Sequence, residues 1–117
     1  MNELTIATRD AATGPVLEIT GDLDHRNAAH LRRSVESLAL GQGQLLVLDL
    51  ARLTFCDSSG ITAFLFARNR AKAARADIAL AAVPPNTARV FGIIGLDQIF
   101  VRYPDADAAT AARAAHP

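Results

Sequence analysis

The sequence predicts an α/β domain built on one mixed β-sheet, with about five strands and four helices in the order β-β-α-β-α-β-α-β-α. Three observations predict it. Two short apolar runs flank a Gly-Pro turn near the start. Further along, the spacing of apolar residues switches between helical and strand-like periods. Residues 44–50 are almost continuously apolar, as expected of a central strand covered on both faces. Parallel strands need long connections, and the predicted helices supply them.

The elements follow in order. Leu4 and Ile6, then Val16, Leu17 and Ile19, form two runs separated by residues 10–15, which read as the turn of an antiparallel hairpin. Over residues 27–40, Leu31, Val35 and Leu38 recur at helical spacing with Arg32, Arg33 and Glu36 between them. Gly41 is placed to end that helix in the left-handed conformation. Residues 51–57 lead from the central strand into residues 58–75, the longest helix, with serines at its mouth and Ile61, Phe64 and Leu65 in phase. Residues 77–83 read as a strand, 84–87 as a turn, 87–94 as a short helix ended by Gly95, and 98–101 as the last strand. Residues 105–115 are alanine-rich, with Asp105 and Asp107 in the first turn, where the helix dipole favours acids.

Composition bounds the function. At 117 residues and 12.4 kDa, with 24 alanines among its apolar residues, the chain supports one domain over 1–117. Twelve basic residues balance twelve acidic ones and the pI is near 6.8, so no charge footprint for nucleic acid is present. Cys56 is the only cysteine, which removes an intrachain disulfide and fits a reducing cytoplasm. The start lacks the basic and apolar regions of a signal peptide. The apolar runs at 61–67 and 78–83 fall short of the roughly 20 residues a membrane span needs. A soluble protein with no direct membrane insertion is expected.

Catalytic signatures are weak. Asp57-Ser58-Ser59-Gly60 stands at a strand-to-helix turn, but the glycine two residues before a hydrolase nucleophile is missing. His25, His30 and His116 fall in no recognisable triad. Gly41-Gln42-Gly43 precedes a strand instead of following one, and no phosphate loop exists. Asp22, Asp24 and His25 have no partner ligands at metal-site spacing, and Asp24 can equally cap or precede a helix. Cys56 reads as a small packing residue. The expectation is no catalytic residue, no cofactor and no metal.

One stretch rises above this background: Leu48 to Ile61, a central strand followed by Asp57-Ser58-Ser59-Gly60 opening a helix. It resembles the signature of the STAS domain, found in anti-sigma factor antagonists and in the cytosolic tails of sulfate transporters. Gly21-Asp22-Leu23-Asp24 resembles the second landmark of that family, a turn after strand two. The predicted element order agrees with a STAS-like sheet along essentially the whole chain.

The resemblance implies a stand-alone antagonist in a partner-switching pathway. Its partner would be an anti-sigma factor with serine kinase activity. That partner would phosphorylate Ser58, a serine phosphatase would reverse the modification, and the unphosphorylated antagonist would bind the anti-sigma factor. Asp22, Asp24, Asp57, Ser58, Ser59 and Gly60 would form the docking surface, on a monomer or weak dimer. The same fold also serves as an accessory subunit of membrane transport ATPase complexes and in stressosome-type scaffolds. The serine in place and the short chain favour the antagonist.

Physical chemistry leaves two roles open for the serines. Either can cap the helix by accepting from a free backbone amide. A helix N-terminus also tolerates a phosphate, so modifying Ser58 could switch binding without unfolding the domain. The added charge, about −1.5 to −2, would fall beside Asp57 and near Asp22 and Asp24.

Overall fold

The computed structural model describes residues 2–115. In chain order these form β1 (Thr5–Ala11), β2 (Gly14–Leu23), α1 (Ala28–Glu36), β3 (Leu45–Cys56), α2 (Ser58–Ala73), β4 (Asp77–Ala81), α3 (Pro85–Ile93), a 3-10 turn (Leu96–Gln98), β5 (Val101–Tyr103) and α4 (Ala106–Ala115). The predicted mixed sheet and the predicted order of strands and helices are both present. The strands lie side by side in sequence order, with β1 antiparallel to β2 and every later pair parallel.

Sequential parallel strands joined by crossovers of one hand put their helices on one face. Leu31 and Val35 of α1, Phe64 of α2 and Phe91 of α3 accordingly share one core with Leu17, Ile19, Leu46, Leu48 and Leu50. The rings of Phe64 and Phe91 meet edge to face at 6.1 Å, the arrangement their quadrupoles favour. On the opposite face, Ala106 and Ala109 of α4 cover a smaller core of Val16, Leu45, Val47, Ala79 and Ala81. β3 is therefore buried on both sides, as its apolar run predicts.

Several boundaries differ from expectation, each for a local reason. The hairpin turn is Ala12-Thr13 alone, because Ala11 already pairs with Gly14. Gly14 belongs to the strand, with φ +145° and β3 so close that a Cβ would lie 2.3 Å from the Leu45 carbonyl oxygen. α1 ends at Glu36, not Leu40. The Ser34 and Ser37 hydroxyls donate to the carbonyls of His30 and Ser34, and Arg70 of α2 holds the Leu38 carbonyl at 3.1 Å. Leu40 is thereby brought to the core from outside the helix. The left-handed glycine of this connection is Gly43, φ +81°, and not Gly41.

β3 runs on through residues 51–56, which the sequence left unassigned. Two register shifts against β2, between Glu18 and Thr20 and between Gly21 and Asp22, each insert a residue into β3 and break its alternation. β4 stops at Ala81 because Ala82 turns the chain at φ +55°. α3 starts at Pro85, whose fixed φ suits the first helical position, and Gly95 follows its end at φ +81° as expected. The last strand begins at Val101. Gln98 lies in the 3-10 turn, and Phe100, which suggested a strand, reaches the core from the connection. Asp105 accepts from the Ala108 amide at 2.7 Å and opens α4. His116 lies outside the described residues.

Candidate functional site

β3 and α2 meet at Asp57, and the corner is built around its carboxylate. Oδ1 accepts from the backbone amides of Ser59 at 2.8 Å and Gly60 at 3.2 Å, so Asp57 is the helix cap. Oδ2 accepts from the His25 amide at 3.2 Å, and the Asp57 amide donates to the Leu23 carbonyl at 3.2 Å. The two sequence motifs, far apart in the chain, are thus stapled together at the carboxyl ends of β2 and β3.

Capping by Asp57 takes the first of the two roles the sequence leaves open for the serines. Ser58 is the first residue of α2, exposed, and neither its hydroxyl nor that of Ser59 has a hydrogen-bond partner among the described residues. Gly60 is not at the surface. A Cβ there would lie 2.6 Å from the Cys56 sulfur and 2.9 Å from Leu23, so glycine lets α2 start against β2. Burial, with the Asp57 charge adding to it, pushes the Cys56 thiol up to about 12. Such a thiol stays protonated and packs, as expected.

Gly21, Asp22 and Leu23 end β2 and are not a turn after it, and the Asp22 and Asp24 carboxylates serve structure rather than forming an open acidic patch. Asp24 is buried. Its carboxylate takes the Arg26 guanidinium at 2.7 Å and the Arg26 amide at 2.9 Å, and these contacts hold it below the usual carboxylate range. It does not cap α1 with its side chain. Its carbonyl instead accepts from the Asn27 and Ala28 amides, while the Asn27 side chain ties the Asp24 amide to the Asp22 carbonyl. Asp22 accepts from the Thr54 hydroxyl at 2.6 Å and the Asn2 amide at 3.1 Å, which likewise lower its pKa and pin the leading segment to β3.

Three further contributors have roles that spacing does not disclose. Asn27 matches neither motif, and Thr54 lies within the signature stretch but owes its role to the register of β3 against β2. Phe55, in the same stretch, is turned outward by the second register shift and left 52% exposed. With Ile61, Pro84, Pro85 and Val90 it lines an apolar groove of about 580 Å³ between the end of β3 and the start of α3. The groove adjoins the Ser58 corner through Cys56. The alternation that would have flagged Phe55 is what the bulges erase.

Among the described residues, no cluster of three His, Cys, Asp or Glu side chains could hold a metal ion, and no helix is long and apolar enough to cross a membrane.

The sequential mixed sheet and its aspartate-capped serine corner define a class of α/β domain organised around one strand-to-helix junction. The chain belongs to the STAS domain family: the family model described as "Mlab, STAS domain" matches residues 6–102. Solved structures share the fold. An anti-sigma factor antagonist from Mycobacterium paratuberculosis superposes with a TM-score of 0.77 at 24% identity, over 94% of this chain and 93% of that one. The anti-sigma factor antagonist SpoIIAA in its unphosphorylated form gives 0.74 at 21% identity, over 94% and 97%. The Bacillus cell fate determinant SpoIIAA in its phosphorylated form gives 0.68 at 19%, over 92% and 99%.

Proposed function

We propose that the chain, residues 1–117 as a single STAS domain, is a cytoplasmic, non-enzymatic anti-sigma factor antagonist. It binds an anti-sigma factor with serine kinase activity through the Ser58 corner, phosphorylation of Ser58 releases it, and a serine phosphatase restores it. It acts as a monomer or weak dimer.

The observation that carries this reading is the division of labour at the corner. Asp57 caps α2, which leaves the Ser58 hydroxyl exposed and without a partner among the described residues. A serine needed for neither capping nor packing is available for modification, since Asp57 already takes the Ser59 and Gly60 amides. SpoIIAA, which shares the fold, has been solved both with and without phosphate. In this reading Ser58 and Ser59 touch the partner, Asp57 sets the charge beside them, and Asp22, Asp24 and Gly60 hold the corner in shape. Phosphate beside the Asp57 carboxylate would face a partner surface fitted to a neutral hydroxyl. A thousandfold loss of affinity needs about 4 kcal/mol, within reach of one badly paired dianion.

Affinity capture from the native cytosol with wild-type and Ser58→Asp baits tests the proposal. Recovery of a histidine-kinase-like ATPase by wild type alone, with phosphate mapped to Ser58, is the expected result. Equal recovery of a membrane transport ATPase complex by both baits, with Ser58 unmodified, would replace the switch with a constitutive subunit.

A further inference from the structure

A second groove, of about 470 Å³, opens at the far end of α2, where β4 runs past the short edge strand β5. That volume is in the range of small-ligand sites, about 300–1,000 Å³. Its floor is apolar, made by Ala71, Ala76, Ile78, Ile99 and Val101, and Val101 is 57% exposed to water. The walls are cationic. α4 supplies Arg113, which is occupied by the Asp77 carboxylate and by the Gly43 carbonyl at 2.6 Å. α2 supplies Arg68 and Lys72, one turn apart, and neither side chain has an ion-pair or hydrogen-bond partner among the described residues. Three cations against one carboxylate leave the groove with an excess of two positive charges.

Cations late in a helix complement its dipole, which is reason enough for one of them to stand there. It does not account for a half-buried Arg68 beside a wetted apolar floor. An apolar concavity with two unengaged cations on one wall matches a molecule with an anionic head and an apolar body. The geometry points to a binding site for a small single-chain carboxylate. Its head would sit between Arg68 and Lys72, and its chain would cover Ile78 and Val101. The Ser58 corner is elsewhere: ten residues of helix, about 15 Å, separate Ser58 from Arg68. This site therefore stands or falls independently of the antagonist reading.

Calorimetric titration of the full chain with decanoate, kept below its micelle concentration, tests the site. Saturable one-to-one binding is expected, weakened about tenfold or more by Arg68→Gln with Lys72→Gln and by replacing decanoate with the neutral decanol. Amide shifts on binding should centre on Ile78, Val101 and Tyr103. Both substituted residues reach the surface, and an unchanged circular dichroism spectrum would show the variant folded. Absence of saturable heat, equal affinity in the double variant, or shifts centred on Phe55 and Val90 would each overturn the assignment.

Discussion

One carboxylate, that of Asp57, organises the corner, and its two oxygens divide the work between the α2 cap and the loop before α1. Asp57→Ala should therefore destabilise by about 1–2 kcal/mol, the usual cost of losing a cap. Ser58→Ala should stay within about 0.5 kcal/mol, because nothing in the fold uses its hydroxyl. Thermal melts of the two variants side by side check both. The sequence points to the two serines as caps, and giving the cap to Asp57 instead required the backbone turn there, which no spacing rule contains. Asp24 gives a pH-dependent prediction. Arg26 holds its folded pKa below the ordinary value of 3.8, so the native state keeps this carboxylate charged where the unfolded chain would protonate it. The associated stability is complete above 3.8 and disappears as pH falls through the lower folded value. Asp22, lowered by Thr54 and Asn2, adds to the same window. Denaturant midpoints followed from neutral pH to below 3.8 should show the loss, and Asp24→Asn should make it shallower while lowering stability at neutral pH.

At the scale of elements, what the sequence disclosed depended on whether an element obeys a single period. α2 buries Gly60, Ala63, Phe64, Ala67 and Ala71 at helical spacing, and its predicted and observed starts coincide at Ser58. β3 does not, since each bulge shifts the inward set: Leu46, Leu48 and Leu50 face the large core, and then Leu53 does. A reader of alternation loses the strand at the first insertion, and with it the outward turn of Phe55. The end of α1 was hidden for another reason, because Leu38 keeps helical spacing with Leu31 and Val35 although the serine hydroxyls and Arg70 have already drawn the backbone out. α4 was legible from its alanines and acidic first turn, and Asp105 caps it. Asp105→Ala should cost about 1 kcal/mol by thermal melt. Amide exchange should then speed up in α4 while leaving α2 unchanged.

The whole molecule is a sheet with two unequal faces and two occupied ends. Three helices and the phenylalanine pair close one face, whereas a single alanine-rich helix closes the other. The carboxyl ends of β2 and β3 carry the Ser58 corner, the end at which open α/β sheets characteristically present their sites. The opposite end, beside Leu45 and Asp77 at the starts of β3 and β4, carries the cationic groove. α2 spans the two, with an aspartate-capped start and basic residues towards its finish. Element order and the motif-bearing corner could be read in the sequence because both depend on local pattern. The groove could not, since it exists only where the shortness of β5 uncovers β4 between two helices that no local rule places opposite each other.

The thin face has a consequence for how the molecule comes apart. α4 buries little beyond the methyl groups of Ala106 and Ala109, and its strongest polar tether is the exposed pair of Arg113 with Asp77. Local opening is cheapest where buried apolar contact is least, so α4 detaches as a unit of its own well below the cost of global unfolding. β3, flanked by strands on both sides, yields last. The segment that breathes is thus remote from the corner that docks, and the protein can fluctuate at one surface while offering a fixed shape at the other.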